Sequence, residues 1–383
     1  MDFSIPEEYL NYQQKVTDFA HNNLNDNIIE RDHEGSFARD LWQKCADFGI
    51  QGLATPAAYG GALEEVNLFR AVLAMQGLGY GCKDNGLAFG LNAQMWNVQI
   101  IIALFGTEEQ KQKYLPKLTD GTWIGAHALT EEASGSDTFN MQMTAEKVDG
   151  GYVLNGEKRL ITLAPVADMA IIFASTNPKL KKWGITAFLL ENTMEGFHVS
   201  PTRHKMGCRT VPFGEIKLEN CFVPEENRFG KEGAGFSLSH QTLEYDRCFI
   251  LASQLGAMER QLEECIDYVK NRKQFGHSIG KFQSISNKIA EMKLRLETSK
   301  LLLHKMVWLK EQGKPCVMEA SLLKLQLSES FVASSLDAIR IHGGNGYLTD
   351  YGVERNLRDA VGGVIYAGTS EIQRNIIARL LGL

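Results

Sequence analysis

At 383 residues the chain is long enough for two or three packed units, and 44% hydrophobic with 22% charged residues is ordinary for a globular protein. A net charge of -6 argues against a nucleic-acid surface. Seven cysteines, at 45, 82, 208, 221, 248, 265 and 316, include no CxxC pair, so reduced thiols are expected, with no disulfide framework and no metal.

Met1-Asp2-Phe3-Ser4 has neither the basic nor the apolar part of a secretion signal. Leu10, Val16, Phe19, Ala20 and Leu24 then recur near helical spacing. Residues 6–120 read mainly as helix, broken at Tyr59-Gly60-Gly61 before an apolar helix around Val66–Gly79. No run of about 18 apolar residues is read as a membrane span, and a cytoplasmic location is expected. The pattern changes near Trp123. Asp149-Gly150-Gly151 and Asn155-Gly156 are hairpin signals. Ala167–Phe173 and Ile185–Leu190 are short apolar runs bounded by polar turns, as strands are. Helical periodicity returns afterwards: Ile285, Ile289, Met292, Leu296 and Leu303 share one face of a long helix, and Ile372–Leu383 reads as a last one. Helices, strands and helices in separate blocks predict an α+β protein with units at 1–120, 121–228 and 229–383.

Five segments carry chemistry. They are Ala128-Leu129-Thr130-Glu131-Glu132-Ala133-Ser134-Gly135-Ser136-Asp137, Gly156-Glu157-Lys158-Arg159-Leu160-Ile161-Thr162, Arg272-Lys273-Gln274-Phe275-Gly276 with Phe282-Gln283, Ile341-His342-Gly343-Gly344-Asn345-Gly346-Tyr347, and Ile365-Tyr366-Ala367-Gly368-Thr369-Ser370-Glu371. In this order they resemble the signature blocks of the acyl-CoA dehydrogenases. The resemblance implies that family's fold: an N-terminal α-domain, a middle β-barrel and a C-terminal four-helix bundle. It also implies FAD. His127, Leu129, Thr130, Gly135, Ser136, Leu160, Ile161 and Thr162 match positions around the flavin and pyrophosphate. Arg272, Phe275, Gln283, Arg340, Gly343, Gly344, Thr369, Ser370 and Glu371 match the remainder, part of which reaches the FAD of a neighbouring subunit. A homotetramer is therefore implied.

Within the family the chain most resembles the prolyl-carrier-protein dehydrogenases and oxidases of pyrrole and anatoxin biosynthesis. That resemblance implies oxidation of a prolyl phosphopantetheine thioester on an acyl or peptidyl carrier protein. A short- or branched-chain acyl-CoA dehydrogenase that passes electrons to an electron-transferring flavoprotein stays open as the other reading. Two departures bear on the electron acceptor. Leu160 stands where the family usually has a flavin-shielding Trp, and His127 stands where it has an aromatic or small residue. A cationic imidazole would stabilise superoxide as it forms, so O2 is the expected acceptor.

The tail departs as well. Many members carry a catalytic glutamate where this chain has Ala367, which cannot take a proton. Its backbone N–H survives, and in the family that group binds the thioester oxygen. Other members place the base on a helix just before an Arg, here Thr242-Leu243-Glu244-Tyr245-Asp246-Arg247. An ungapped register selects Asp246. Glu244 has the longer reach and is the preferred base, with Asp246 the alternative. The two lie ~200° apart on an ideal helix, so they face different surroundings.

Overall fold

The computed structural model describes residues 4–138 and 140–383. Met1–Phe3, part of the N-terminal reading, lie outside them.

The N-terminal third is helical: α1 (Glu7–Asn23), α2 (Ile28–Glu34), α3 (Arg39–Phe48), α4 (Leu68–Gly81), α5 (Asn85–Gln94), α6 (Ile100–Phe105) and α7 (Glu108–Thr119). Polar caps set several starts. Asn67 accepts from Arg70 N–H, Asp84 accepts from Leu87 N–H, and Thr107 with Gln110 closes a reciprocal capping box. Asn85–Phe105 is one run that is long and apolar enough by composition to cross a membrane, with mean hydropathy 1.3, contrary to the reading of the sequence. Most of it (78%) is buried against protein, because its apolar residues form the centre of this helical layer. In its middle, Met95–Gln99 widens into a π-helical turn. Such turns rotate side chains out of helical register and recur at functional sites.

Eight strands follow: β1 (Gly125–Ala128), β2 (Thr144–Val148), β3 (Gly151–Thr162), β4 (Met169–Ser175), β5 (Ile185–Glu191), β6 (Phe197–Val199), β7 (Phe213–Pro224) and β8 (Arg228–Phe229). Their order is β6-β7-β3-β2-β4-β5-β8, with β1 parallel to β4. The sheet curls around a core of its own, in which Tyr152, Leu154, Ile172, Phe188, Ile216 and Val223 meet. Asp149-Gly150 makes the β2–β3 hairpin, as expected, with Val148 opposite Gly151. Asn155-Gly156 does not turn the chain. It forms a bulge inside β3, where Gly156 has φ +141° and a Cβ would come within 2.8 Å of Met143 Cα.

The last third is helical: α8 (Gly235–Phe249), α9 (Ala252–Asn271), α10 (Gln283–Glu311), α11 (Val317–His342), α12 (Gly344–Tyr347), α13 (Val353–Gly363) and α14 (Ser370–Leu380). A short hairpin, β9 (Lys273–Gln274) with β10 (His277–Ser278), joins α9 to α10. The apolar faces of α8, α9, α10 and α11 join the N-terminal helices in one continuous core through Phe249, Leu255, Leu296, Leu303 and Phe331. The site described next lies where this core, the sheet and the tail meet.

Candidate active site

On the sheet side, two of the signature segments are tied together. The Lys158 ammonium, buried in β3, donates to Glu131 Oε1 at 2.7 Å and to the Leu129 carbonyl at 3.1 Å. Burial pulls it down to about 8, and the Glu131 carboxylate acts in the opposite direction. Glu131 also accepts from Met143 N–H at 3.1 Å, and Arg159 N–H donates to the Thr130 carbonyl at 2.8 Å. Leu129 and Thr130 are thereby fixed to β3 while remaining partly accessible, as does Thr162. Register breaks between Lys158 and Ile161, and Leu160 there is left-handed (φ +59°) and 56% exposed. That conformation costs a branched side chain on the order of 1–2 kcal/mol. Gly135 and Ser136 lie on the exposed turn that follows Glu131.

His127, on β1, stands 5.2 Å from the Phe173 ring, and its Nε2 has no partner among the described residues. The expectation of a cation is corrected here. Burial, and secondarily the Lys158 charge, hold the imidazole at about 4, so it is neutral near pH 7.

Across the helical core, α8 presents its two acids to different places. Glu244, the preferred base from sequence, accepts from Lys310 Nζ at 2.6 Å and has Cys316 Sγ 4.0 Å away. Asp246 accepts from Asn97 Nδ2 at 3.0 Å, and Asn97 belongs to the π-helical turn. Asp246 retains partial access although it lies deep in the protein, as a group lining a cleft does. Burial pushes its carboxyl up to about 6, opposed by the Asn97 hydrogen bond and by the Arg247 and Lys324 charges. Tyr366 feels the Asp246 charge and is pushed well above the ordinary phenol range, mainly by burial.

The tail meets α8 beside Asp246, through Arg247. Tyr366 accepts from Gln254 Nε2 at 2.7 Å through its hydroxyl, and its ring is 4.6 Å from Phe89. Ala367 is left-handed, φ +56°, and Gly368 follows at +88°. The Ala367 carbonyl accepts from Arg247 Nε at 3.4 Å and Gln373 Nε2 at 3.3 Å. Its N–H makes no hydrogen bond among the described residues. Thr369 caps α14 by accepting from Ile372 N–H, Ser370 is buried with its hydroxyl unpaired among the described residues, and Glu371 is exposed.

The remaining expected residues form a separate exposed surface. Arg272 and Phe275 lie on the β9–β10 hairpin, where Phe275 is 90% exposed, and Gln283 opens α10. Arg340 lies in the last turn of α11, Gly343 caps it and Gly344 opens α12. Tyr268 joins the two groups: its ring stacks on His342 at 4.0 Å, and its carbonyl accepts from Arg272 N–H at 2.8 Å.

Sequence reading missed Asn97 and Lys324. An asparagine inside an apolar helix carries no signal until the π-turn aims it at Asp246. Lys324 Nζ is buried without a hydrogen-bond partner among the described residues, and burial pulls it down to about 8.

Family models match the whole architecture in order. They are the acyl-CoA dehydrogenase N-terminal domain over 6–122, middle domain over 126–221 and C-terminal domain over 233–382. An L-prolyl-[peptidyl-carrier protein] dehydrogenase of Pseudomonas fluorescens is 40% identical across 92% of each chain. The structure of the prolyl acyl carrier protein oxidase AnaB is 47% identical and superposes with a TM-score of 0.97, covering 99% of this chain and all of that one. PigA with FAD and proline is 38% identical with a TM-score of 0.97 over the full length of both chains. The chain belongs to the acyl-CoA dehydrogenase family.

Proposed function

We propose that this protein is an FAD-dependent enzyme that removes the α-proton and a β-hydride from a prolyl thioester, held on the phosphopantetheine arm of a carrier protein, and that the α,β-unsaturated thioester so formed isomerises to the 1-pyrroline-5-carboxyl thioester. The observation that carries the reading is Asp246: an accessible carboxylate deep in the protein, held by Asn97 beside a tail whose own position 367 has no acid. The named activities of relatives 40% and 47% identical over nearly the whole chain support the substrate class.

The residues fit a flavin. Thr130 and Thr162 are accessible for its polar edge, and the His127 Nε2 is unsatisfied. Leu160 projects outward from a strained bulge and offers no aromatic shield. When bound, FAD supplies the two-electron acceptor for the β-hydride. The chain's own groups do the rest. Asp246 takes the α-proton in preference to Glu244, whose carboxylate is committed to Lys310. A carboxyl lifted to about 6 remains ionised at neutral pH and is a stronger base than an ordinary aspartate. Arg247, bonded to the Ala367 carbonyl, fixes the tail so that the free Ala367 N–H can donate to the thioester oxygen. That bond strengthens as negative charge gathers on the oxygen.

The Arg272–Gln283 and Arg340–Gly344 surface is assigned to the FAD of a neighbouring subunit in a homotetramer, and O2 to the final electrons. With His127 neutral, the open face at Leu160 is what supports O2. Incubation with a prolyl-loaded peptidyl carrier protein in air tests the reading, with carrier mass and peroxide followed together. Loss of two hydrogens with matching peroxide is expected. An unchanged carrier, with the flavin bleached by an acyl-CoA, would overturn the reading.

A further inference from the structure

The loop between β4 and β5, Asn177–Gly184, has no part in the chemistry above, yet it is built. Its base is closed by Thr176 N–H and Asn177 N–H donating to the Gly184 carbonyl at 2.8 and 3.2 Å, with the Thr176 hydroxyl donating to the same oxygen at 3.0 Å. The loop bears Lys179, Lys181 and Lys182, all exposed, and none forms an ion pair among the described residues. Leu180 and Trp183 between and beside them are 54% and 55% exposed. Lys182 Nζ sits 5.1 Å from the Trp183 ring centre and 4.7 Å from that of Phe236. A cluster of unneutralised cations around exposed apolar side chains stands out on a chain whose net charge is -6.

This patch is continuous with the helix that carries the base. Trp183 meets Phe236, at the start of α8, edge-on at 5.0 Å. Ten residues separate Phe236 from Asp246, a rise of ~15 Å along the helix. An extended flexible arm anchored on the loop could follow α8 to the cleft.

We infer that the Asn177–Gly184 loop is the docking surface for an acidic carrier protein, with Trp183 as apolar anchor and the three lysines as its electrostatic complement. The inference rests on the proposed prolyl-carrier reaction. Opposite charge raises the encounter rate and fixes orientation, and a central tryptophan is the residue type that most often dominates such contacts.

The test compares K179E/K181E/K182E and W183A with the unaltered holoenzyme on two substrates: a prolyl-loaded peptidyl carrier protein that the unaltered enzyme turns over, and the prolyl thioester of free pantetheine. Both variants should lose about tenfold or more in kcat/KM on the carrier while changing less than about twofold on the pantetheine thioester. In the charge-reversed variant the salt dependence of the carrier reaction should change sign, since salt then screens repulsion. Equal losses on both substrates, or no loss on either, would overturn the docking surface and leave the reaction standing. An unaltered enzyme inert toward every prolyl carrier would instead overturn the reaction, and the docking surface with it. FAD content and thermal melting monitor folding, and the single variant K182E, expected to show a smaller loss on the carrier alone, serves if the triple variant unfolds.

Discussion

Replacing Lys324 by Met should make the protein more stable at neutral pH and its reaction more sensitive to acid. The ammonium is wholly buried and lacks a hydrogen-bond partner among the described residues. Burial is the main cause of its fall from 10.5 to about 8, partly offset by Asp246, Glu329 and Glu371, while Arg247 adds to it. At 1.36 kcal/mol per unit this is about 3 kcal/mol of destabilisation. The sign follows from proton uptake. Between about pH 8 and 10.5 the unfolded chain binds more protons than the folded one, so stability rises with pH there. The penalty is therefore full below about pH 8 and disappears toward 10.5. Urea unfolding of holoenzyme should show K324M more stable by up to about 3 kcal/mol at pH 7, the gain shrinking as pH approaches 10. The same charge helps hold Asp246 down, so in K324M the acid limb of flavin reduction should move above its starting point near 6. A variant less stable at pH 7, with an unmoved acid limb, would refute both the burial penalty and the coupling to Asp246.

Breaking the buried Lys158–Glu131 pair by Glu131→Gln should cost about 3–5 kcal/mol in denaturant unfolding, since a buried ammonium loses its counter-charge. The same variant should bind FAD more weakly, because Leu129 and Thr130 lose their anchor; tight FAD in a destabilised protein would separate the two effects. Gly156→Ala should cost about 1–3 kcal/mol in thermal unfolding, as a Cβ there meets Met143 at 2.8 Å. Between pH 6 and 8 the reoxidation rate of the reduced enzyme by air should show no ionisation abolished by His127→Gln, since the imidazole stays neutral down to about 4. A step near 6.5 that disappears in the variant would restore the cation.

Much of the architecture is legible because it rests on periodicity and turn chemistry. Helical spacing from Leu10 to Leu24 marks α1, and Asp149-Gly150 turns a hairpin in which Gly150 takes the left-handed conformation, φ +78°. Asn155-Gly156 carries the same local signal and becomes a bulge, because β3 continues pairing with β7 beyond it and tertiary pairing outweighs local preference. Segment likeness singled out Leu160 and its neighbours as expected flavin positions, and the structure finds Leu160 in a left-handed, exposed bulge. What it could not supply is orientation. Glu244 and Asp246 differ by two residues, and only the packing of α8 against α10 and the π-turn sends one to Lys310 and the other to Asn97. Nor does a histidine reveal its charge in sequence: the burial and the Lys158 ammonium that keep His127 neutral come from strands folded together.

The assignment of the proton acceptor is tested most directly by anaerobic mixing of FAD-loaded Asp246→Asn and Glu244→Gln with a prolyl-loaded carrier, following flavin absorbance in a single turnover. Asp246→Asn should retain FAD and fail to bleach it, while Glu244→Gln bleaches it at a rate near that of the unaltered enzyme. Bleaching by Asp246→Asn together with its loss in Glu244→Gln would contradict the assignment and place the base on the Lys310 side of the helix.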